Sequence, residues 1–410
     1  MRRVVITGLG AVTPIGNDVP SFWHNLQLGV CGIAPITAYD TKDMPVKIAA
    51  EVKDFNAEDF NIDKGMARRS DRYSQFALAV AAQAMEDSEL AGKINSERLG
   101  VYVGSGIGGM STFIKECTKM NEEGANRVSP LFIPMMIANI AAGNVAIAHH
   151  AEGPCLPVVT ACATSTHAIG EAYRAIKYGY ADAIIAGGAE AAINPLAVGG
   201  FTNCKALSKA TDPKNASLPF DARRAGFVIG EGAGIVVLEE YEHAVKRGAK
   251  IYGELCGYGN TCDAYHYTAP KPDGSCASRA ISQALQEANY GSTDVVYVNA
   301  HGTGTPLNDK SETQALKLAF GEENAKKLHI SSSKSMTGHT LGAAGGMEVI
   351  ASVLSLQNSF VTPTIGLTEP DPECDLDYTP IHAKKVDLTL AISNSLGFGG
   401  HNACVAIRKV

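Results

Sequence analysis

The residue best suited to covalent chemistry in this sequence is Cys162, which lies between two segments of different pattern. The apolar, β-branched run Val158–Thr160 before it predicts a short buried strand. After it, small apolar residues recur at helical spacing as far as Ile176. A thiol at a helix N-terminus lies close to the positive end of the helix dipole and to unpaired N–H groups, which favour a thiolate and can bind an oxyanion. Cys162 is therefore predicted to be a nucleophile.

Two histidines follow other predicted strands, and both have glycine and threonine as neighbours. His301 begins the segment HGTGT after the apolar run Val295–Asn299, and His339 ends the segment KSMTGH after another such run. Sites in open α/β sheets gather at the carboxyl ends of strands, so we expect both imidazoles near Cys162. A single histidine is more often a structural group, so the prediction depends on the pair. The glycine-rich segment Ser395–His401 is expected to bring more backbone N–H groups to the thiol.

The elements that must position these residues alternate between strand and helix, which predicts largely parallel sheets covered by helical layers. The predicted strands include Val4–Thr7, Gly100–Val103, Ala183–Ala186 and Gly234–Glu239. The predicted helices include Ser21–Leu28, Ser70–Asp87, Ala277–Ala288, Ser311–Phe320 and Gly342–Gln357. The pattern starts again near residue 250, and 410 residues are many for one core. We predict two similar halves, 1–250 with the nucleophile and 251–410 with the two histidines.

The composition excludes several classes of protein. Apolar residues make up 45% of the chain and charged residues 19%, which indicates a globular protein, and the net charge of −7 argues against general nucleic-acid binding. Ten cysteines without a C-x-x-C pair or zinc-site spacing predict reduced thiols in the cytosol. The start MRRVVITGLGAV is predicted to be a core strand and not a signal peptide. The apolar stretch Phe132–Ala148 contains two asparagines and is not expected to cross a membrane.

Four motifs, in this order, resemble the β-ketoacyl-acyl-carrier-protein synthases. They are VVTACATSTHA around Cys162, VNAHGTGTPLND around His301, SSKSMTGHTLGAAG around His339, and NSLGFGGHNA near the C-terminus. The resemblance covers essentially the whole chain and is strongest to the elongating type II group of the thiolase superfamily. It implies a thiolase-like α/β fold, with two related halves in five α-β-α-β-α layers, and usually a homodimer.

The resemblance also implies a reaction, the decarboxylative Claisen condensation of fatty acid elongation. Cys162 would hold the acyl chain as a thioester, and malonyl-acyl-carrier protein would then bind. His301 and His339 would promote loss of CO₂ and stabilise the enolate by hydrogen bonds. The enolate would attack the acyl thioester and give a β-ketoacyl-acyl-carrier protein two carbons longer. The backbone N–H groups of Cys162 and Phe398 would form the oxyanion hole.

Further residues match positions that have roles in this family. Lys334 and Glu348 are expected to form a buried pair that organises the site, and Phe398 to act as a gate that moves on acylation. No cofactor is implied, because the phosphopantetheine arm arrives on the carrier protein. Some relatives hold a structural Na⁺ or K⁺, and a plain hydrogen-bond network is the alternative here. The residues that match this cation site are Asn299, Glu348, Ser393 and Asn394.

Substrate and partner contacts are implied in the same way. Thr303 and Thr305 match residues that hold the phosphopantetheine arm, Ile107 matches one that limits the acyl pocket, and Phe201 is expected to line that pocket. The carrier protein is acidic in this family and this chain is acidic too, so binding needs a local basic patch. The candidates are Lys64, Arg68, Arg69, Arg72, Arg127 and Lys205.

Other classes of protein share single features with the chain. The segment Gly104–Gly109 fits G-x-G-x-x-G, and Tyr173–Lys177 spells Y-x-x-x-K, as in dehydrogenases. No acidic residue follows a second predicted strand about twenty residues on, as ribose binding requires. The signature of papain-like proteases is missing. Degradative thiolases carry a second cysteine where this chain has GFGGHN, and starter-type synthases replace the second histidine by asparagine. A polyketide-type ketosynthase and a non-catalytic partner subunit remain the alternatives to fatty acid elongation.

Overall fold

The computed structural model describes residues 1–410, and nine of its strands form one mixed sheet. The strands are β1 (Val4–Val12), β2 (Ala34–Pro35), β3 (Ile48–Ala49), β4 (Leu99–Gly104), β5 (Ala183–Glu190), β6 (Gly232–Glu240), β7 (Gly253–Cys262), β8 (Val296–Asn299), β9 (His329–Ser331), β10 (Phe360–Val361), β11 (Lys384–Lys385), β12 (Leu390–Gly397) and β13 (His401–Arg408). The helices are α1 (Val19–Leu28), α2 (Lys64–Arg68), α3 (Arg72–Ser88), α4 (Met110–Glu123), α5 (Phe132–Met136), α6 (Ile140–His149), α7 (Thr164–Lys177), α8 (Pro195–Asn203), α9 (Tyr241–Lys246), α10 (Ser275–Glu287), α11 (Pro306–Phe320), α12 (Glu322–Ala325), α13 (Lys334–Thr337) and α14 (Ala344–Asn358).

The large sheet consists of two halves with the same strand order. Its order is β4-β5-β6-β1-β7-β13-β12-β8-β9, and Cys155 extends it beyond β4 by a parallel bridge to Val101. We number the strands of each half along the chain and count the Cys155 segment as the third strand of the first half. Read from the outer edge inward, both halves then have the order third, second, fourth, fifth, first. In both halves the fourth and fifth strands, β5–β6 and β12–β13, are antiparallel, and the halves meet where β1 pairs with β7.

Helices cover both faces of each half. The buried helices α7 and α14 lie between the halves, because each contacts strands of both. Helices α3 and α6 cover the outer face of the first half, and α10 and α11 cover that of the second. The result is five layers, so the predicted thiolase-like arrangement of two related halves is confirmed. The chain division at residue 250, which lies between α9 and β7, stays a prediction.

Glycines hide the first strand of each half from the sequence pattern. The predicted strand Val4–Thr7 ends before Gly8, whereas β1 continues to Val12, and β7 was not predicted at all. A Cβ at Gly8 would lie 2.1 Å from the Ala84 carbonyl oxygen of α3, and one at Gly257 would lie 2.1 Å from the Ala284 carbonyl oxygen of α10. Each strand therefore carries glycine where a helix backbone packs directly on it. The same contact in both halves is a further sign of their relation.

Other predicted elements differ in detail. The segment Val158–Thr160 was expected to be a buried strand, but it forms no strand, and Val159 is 52% exposed at the outer edge of the first half. Helix α1 has Asp18 and not Ser21 as its N-cap, and α11 begins at Pro306, five residues before the predicted start at Ser311. No helix has both the length and the hydropathy to span a membrane.

Candidate active site

The predicted nucleophile and both predicted histidines line one cavity of about 300 Å³. The loops after β8 and β12 meet there, as the strand-end argument predicts for His301, whereas Cys162 follows a segment that forms no strand. The same cavity is also lined by Thr303, Thr305, Phe398 and Lys205. The cavity therefore contains both the reactive groups and the residues expected to hold the substrate arm.

Cys162 lies in a tight turn immediately before α7. Ala161 has a φ of +51°, a left-handed value that is uncommon for a residue with a Cβ, and residues Ala161–Ala163 form a 3₁₀ turn. The Thr160 N–H donates to the Thr164 hydroxyl over 2.9 Å and closes this turn. Cys162 thereby reaches the cavity from a helix N-terminus while remaining 8% exposed.

The glycine-rich segment after β12 passes directly over this turn. A Cβ at Gly397 would lie 2.7 Å from the Thr160 carbonyl oxygen and 3.3 Å from the Cys162 nitrogen, so only glycine allows this approach. Burial raises the pKa of Cys162 to about 12, although Lys334 and the N–H groups of Phe398 and Cys162 act in the opposite direction. Burial therefore opposes the thiolate that the helix N-terminus is expected to favour.

The two histidine rings face each other as a pair. Their centroids are 5.3 Å apart at an interplanar angle of 86°, and His301 and His339 are 3% and 2% exposed. Burial, and then the charge of Lys334, hold the pKa of both imidazoles well below the ordinary value. Both rings are neutral at pH 7, so each carries one N–H that can donate to a substrate oxygen.

Two buried carboxylates that the sequence analysis missed hold the loop of His301. Glu312 accepts the N–H groups of His301 and Gly302, each over 2.8 Å, and Asp309 accepts the Thr303 N–H over 3.1 Å. Burial raises the pKa of Glu312 to about 7. The donors are backbone N–H groups, so the sequence carried no signal for this contact.

His339 is held by its backbone in a different way. Gly338, with a φ of +62°, turns the chain after α13. The His339 N–H then donates to the Val228 carbonyl over 2.7 Å, and the His339 carbonyl accepts the Gly230 N–H over 2.9 Å. The Phe227 ring, also missed in the sequence, packs edge-on 5.1 Å from the imidazole. These contacts leave the ring fixed at the cavity wall.

Lys334 and Glu348 form the expected pair behind the histidines. Their side chains are 1% and 2% exposed, and the ammonium donates to one Glu348 oxygen. Burial raises the pKa of Glu348, although Lys334 acts against this shift. Several buried oxygens nearby have no hydrogen-bond partner in the protein: Asn299 Oδ1, Glu348 Oε2, Ser393 Oγ and Asn394 Oδ1. No cluster of three His, Cys, Asp or Glu side chains with metal-site geometry is present.

The predicted substrate-binding residues differ in their position relative to the cavity. The hydroxyls of Thr303 and Thr305 form a hydrogen bond of 2.9 Å at the cavity, and the Thr305 side chain makes no capping bond to α11 although Thr305 is its N-cap. The Phe201 ring packs against the Phe398 ring at 6.3 Å. Ile107 lies outside the cavity lining and is 36% exposed.

Of the basic candidates, only Lys205 lines the cavity. Arg68 and Arg69 are exposed at the end of α2, and neither has an acidic partner. Lys64 pairs with Glu58 at 3.5 Å and Arg127 with Glu123 at 3.0 Å, both on the surface. Arg72 instead pairs with the buried Glu231 at 2.7 Å, which makes it the least available of the set.

Family models match most of the chain. Residues 1–244 match the beta-ketoacyl synthase N-terminal domain, and residues 252–368 match the C-terminal domain of the same family. Two curated relatives are named 3-oxoacyl-[acyl-carrier-protein] synthase 2. The one from Synechocystis sp. is 50% identical over 410 residues, and the one from Staphylococcus aureus is 52% identical over 409 residues. Each alignment covers 100% of this chain and 98% of the relative.

Solved structures show the same fold. A beta-ketoacyl synthase from Burkholderia phymatum has a TM-score of 0.93 at 36% identity, with full coverage of both chains. A ketosynthase solved with its type II polyketide acyl-carrier protein, and described as bound to the hexaketide, has a TM-score of 0.92, also at 36% identity and full coverage.

Proposed function

The chain belongs to the beta-ketoacyl synthase family, and from this premise we propose how its residues perform the condensation that elongates fatty acids. It is an acyltransferase that joins a malonyl unit to an acyl chain on carrier protein. The observation that carries the assignment of residues is the cavity shared by Cys162, His301, His339 and Phe398. This set contains a nucleophile, two neutral donors and an oxyanion site, which is what the reaction needs.

In the first half-reaction, Cys162 attacks the thioester of acyl-carrier protein. The new bond joins Cys162 Sγ to the acyl carbon, the bond to the pantetheine sulfur breaks, and the thiol proton of Cys162 ends on the pantetheine thiol. The tetrahedral oxyanion lies at the N–H groups of Cys162 and Phe398, which already act on the thiol in the resting protein. Thr303 and Thr305 hold the arm through their hydroxyls.

In the second half-reaction, His301 and His339 bind the thioester oxygen of malonyl-carrier protein. Loss of CO₂ leaves an enolate whose negative oxygen accepts the N–H of each neutral ring. The enolate carbon attacks the acyl carbon, the bond to Cys162 breaks, and the thiolate is reprotonated. Donation by two neutral rings stabilises the enolate without placing a strong acid next to it, which would quench it.

A monovalent cation fits the oxygens behind the histidines. Asn299, Ser393, Asn394 and Glu348 each present a buried oxygen without a partner, and hard oxygen donors suit Na⁺ or K⁺. The cation would neutralise the Glu348 carboxylate beside Lys334. We expect a higher Tm in KCl or NaCl than in choline chloride of equal ionic strength, and a smaller difference for Ser393→Ala. Equal Tm values in all three salts would exclude a bound cation and would mean that these side chains form a hydrogen-bond network without one.

The partner is acyl-carrier protein, as a ketosynthase relative solved with its carrier protein suggests. We propose that Lys64, Arg68, Arg69, Arg127 and Lys205 form its basic docking surface, since their charges attract an acidic partner. Arg68→Glu and Lys205→Glu should raise KM for acyl-carrier protein about tenfold and spare acyl-CoA, in proportion to the lost charge pairs. Lys246→Glu, outside this set and the cavity lining, is the control. Equal losses with both donors would contradict the assignment.

A homodimer is proposed from the outer edge of the first half. Cys155 bridges β4 on one side only, and the exposed side chains of Leu156, Val159 and Ile147 are apolar. An unpaired, apolar strand edge is a template for a second copy. Val159→Lys should give a monomer in light scattering, whereas Val245→Lys, at an exposed apolar residue on α9, should not. If both variants were monomeric, or both were dimeric, this interface would be refuted.

All ten cysteines are unpaired, which supports a reducing cytosol.

The function is tested by intact mass after incubation with a long-chain acyl-carrier protein. Wild type should gain one acyl group, Cys162→Ala should gain none, and malonyl-carrier protein should discharge the adduct as a β-ketoacyl product. A folded wild type without an adduct from any donor would favour the non-catalytic subunit. An adduct that malonyl-carrier protein cannot discharge would favour an acyltransferase that does not condense.

A further inference from the structure

Glu190 is a fully buried carboxylate that the condensation steps do not use. It ends β5, is 0% exposed, and has four hydrogen-bond donors around it. One oxygen accepts the Ser105 hydroxyl over 2.7 Å and the Ile107 N–H over 3.2 Å. The other accepts the Gly106 N–H over 2.8 Å and the Gly342 N–H over 3.0 Å. A carboxylate with this many donors fixes the backbone that supplies them.

These hydrogen bonds join segments that enclose the turn of Cys162. A Cβ at Gly106 would lie 2.7 Å from the Glu190 carboxylate and 3.4 Å from the carbonyl oxygen of Ala161, the residue before the nucleophile. A Cβ at Gly342 would lie 2.4 Å from the Gly106 nitrogen. The two loops therefore touch through their backbones, and Glu190 lies at their junction.

Residues next to these hydrogen bonds form the apolar surroundings of Cys162. Leu341 precedes Gly342 and Ile193 follows the end of β5, and both pack in one apolar cluster with Cys162. Met110, at the start of α4, and Phe201 pack against the same cluster. A shift of the backbone held by Glu190 would therefore change the shape of the apolar space next to the nucleophile.

We propose that Glu190 is a positioning residue for acyl-chain selection. Its carboxylate holds Ser105–Ile107 against Gly342 and so sets which acyl chains fit beside Cys162. The role rests on the proposed function, because it concerns the acyl group that Cys162 carries. Glu190 does not line the catalytic cavity, and its proposed effect on the choice of acyl chain passes through the segments that it holds.

The variant Glu190→Gln tests this with a local defect. An amide has one oxygen, so its best orientation keeps the bonds from Gly106 and Gly342 and turns the NH₂ group toward Ser105, whose hydroxyl can accept. The Ile107 N–H then faces a donor and loses its acceptor. We expect the ratio of Cys162 acylation rates for sixteen-carbon and eight-carbon acyl-carrier proteins to change by about fivefold or more, the scale of selectivity that pocket shape provides.

Two further variants keep the test decisive. Ser105→Ala removes one of the donors to Glu190 without a new clash and should shift the ratio of acylation rates in the same direction. This variant still tests the proposal if Glu190→Gln does not fold. Glu239→Gln alters another carboxylate that is 0% exposed, bound by Arg247, His243 and Thr7, and should lower Tm without changing the ratio. If both test variants acylated Cys162 more slowly but kept the ratio of the two acylation rates within about twofold of wild type, Glu190 would have only a structural role. A wild type that gains no acyl group of any length would refute the proposed function instead.

Discussion

The two central helices, α7 and α14, begin with the same backbone but serve different purposes. Before each, a residue with a side chain has a left-handed φ, +51° for Ala161 and +49° for Leu341, and a 3₁₀ turn follows. The next residue is Cys162 in the first half and Gly342 in the second. The N-terminus of α7 is open to the cavity, whereas the Gly342 N–H is taken by Glu190.

This difference shows how a duplicated fold divides one active site. The Gly342 carbonyl accepts the Ser165 hydroxyl of α7 over 2.5 Å, so the second helix terminus supports the first. The second half supplies the histidines and the buried Lys334–Glu348 pair instead of a nucleophile. The N-terminus of α7 adjoins the cavity and can therefore bind an oxyanion. The equivalent N-terminus of α14 is occupied by the Glu190 carboxylate and makes a structural contact instead.

The largest effect should come from removing the buried lysine of the second half. Lys334→Met leaves the Glu348 carboxylate uncompensated and should lower the free energy of unfolding by about 3–5 kcal/mol. The control is Lys177→Met on α7, whose pair with Glu287 is partly exposed and should contribute less than about 1 kcal/mol. Chemical denaturation measures both. Similar losses for the two lysines would mean that the buried Lys334–Glu348 pair contributes no more to stability than the partly exposed pair.

The absence of a side chain at the second helix terminus can be tested directly. Gly342→Ala places a Cβ 2.4 Å from the Gly106 nitrogen, so backbone must move, and we expect a loss of about 1–3 kcal/mol. Gly200→Ala, in α8 with no atom within 4 Å of the new Cβ, should instead be neutral or slightly stabilising. If Gly342→Ala retained full stability, the requirement for glycine at the second terminus would be wrong.

The open terminus of α7 predicts a pH dependence for the thiol. Because burial raises the pKa of Cys162 to about 12, its thiolate fraction should grow about tenfold per pH unit. The rate of iodoacetamide alkylation should rise accordingly from pH 6 to pH 9 without a plateau, followed by mass spectrometry of the Cys162 peptide. A plateau below about pH 8 would show that the helix terminus stabilises the thiolate after all.

The smallest effect concerns the histidines of the second half. The pKa of His339 is well below its unfolded value of about 6.5, so the unfolded chain binds more protons as the pH falls through that value. Stability is therefore lost below about pH 6.5. Between pH 6.5 and 5.5 wild type should lose about 1 kcal/mol more than His339→Gln, which lacks the titrating group. Parallel stability profiles for the two proteins would mean that His339 has the same pKa in the folded and the unfolded chain.

The reactive residues could be predicted because their chemistry depends on residue type and on position after a strand. Cys162, His301 and His339 follow apolar runs, and such strand ends meet at one edge of a sheet. Glu312 and Glu190 could not be predicted in the same way. Their donors are backbone N–H groups, which every residue other than proline carries, so no pattern of letters shows that they converge.

The sequence by itself determined the alternation of strands and helices, the reactive groups and the family. Only the tertiary structure decided that burial raises the pKa of Cys162, that Gly257 lies in a strand, and that Glu190 joins Ile107 to the second central helix. The physical reason is that desolvation, close backbone packing and hydrogen bonding to backbone arise from residues distant in sequence. A residue's type states what it can donate, accept or exclude, and the fold decides what lies beside it.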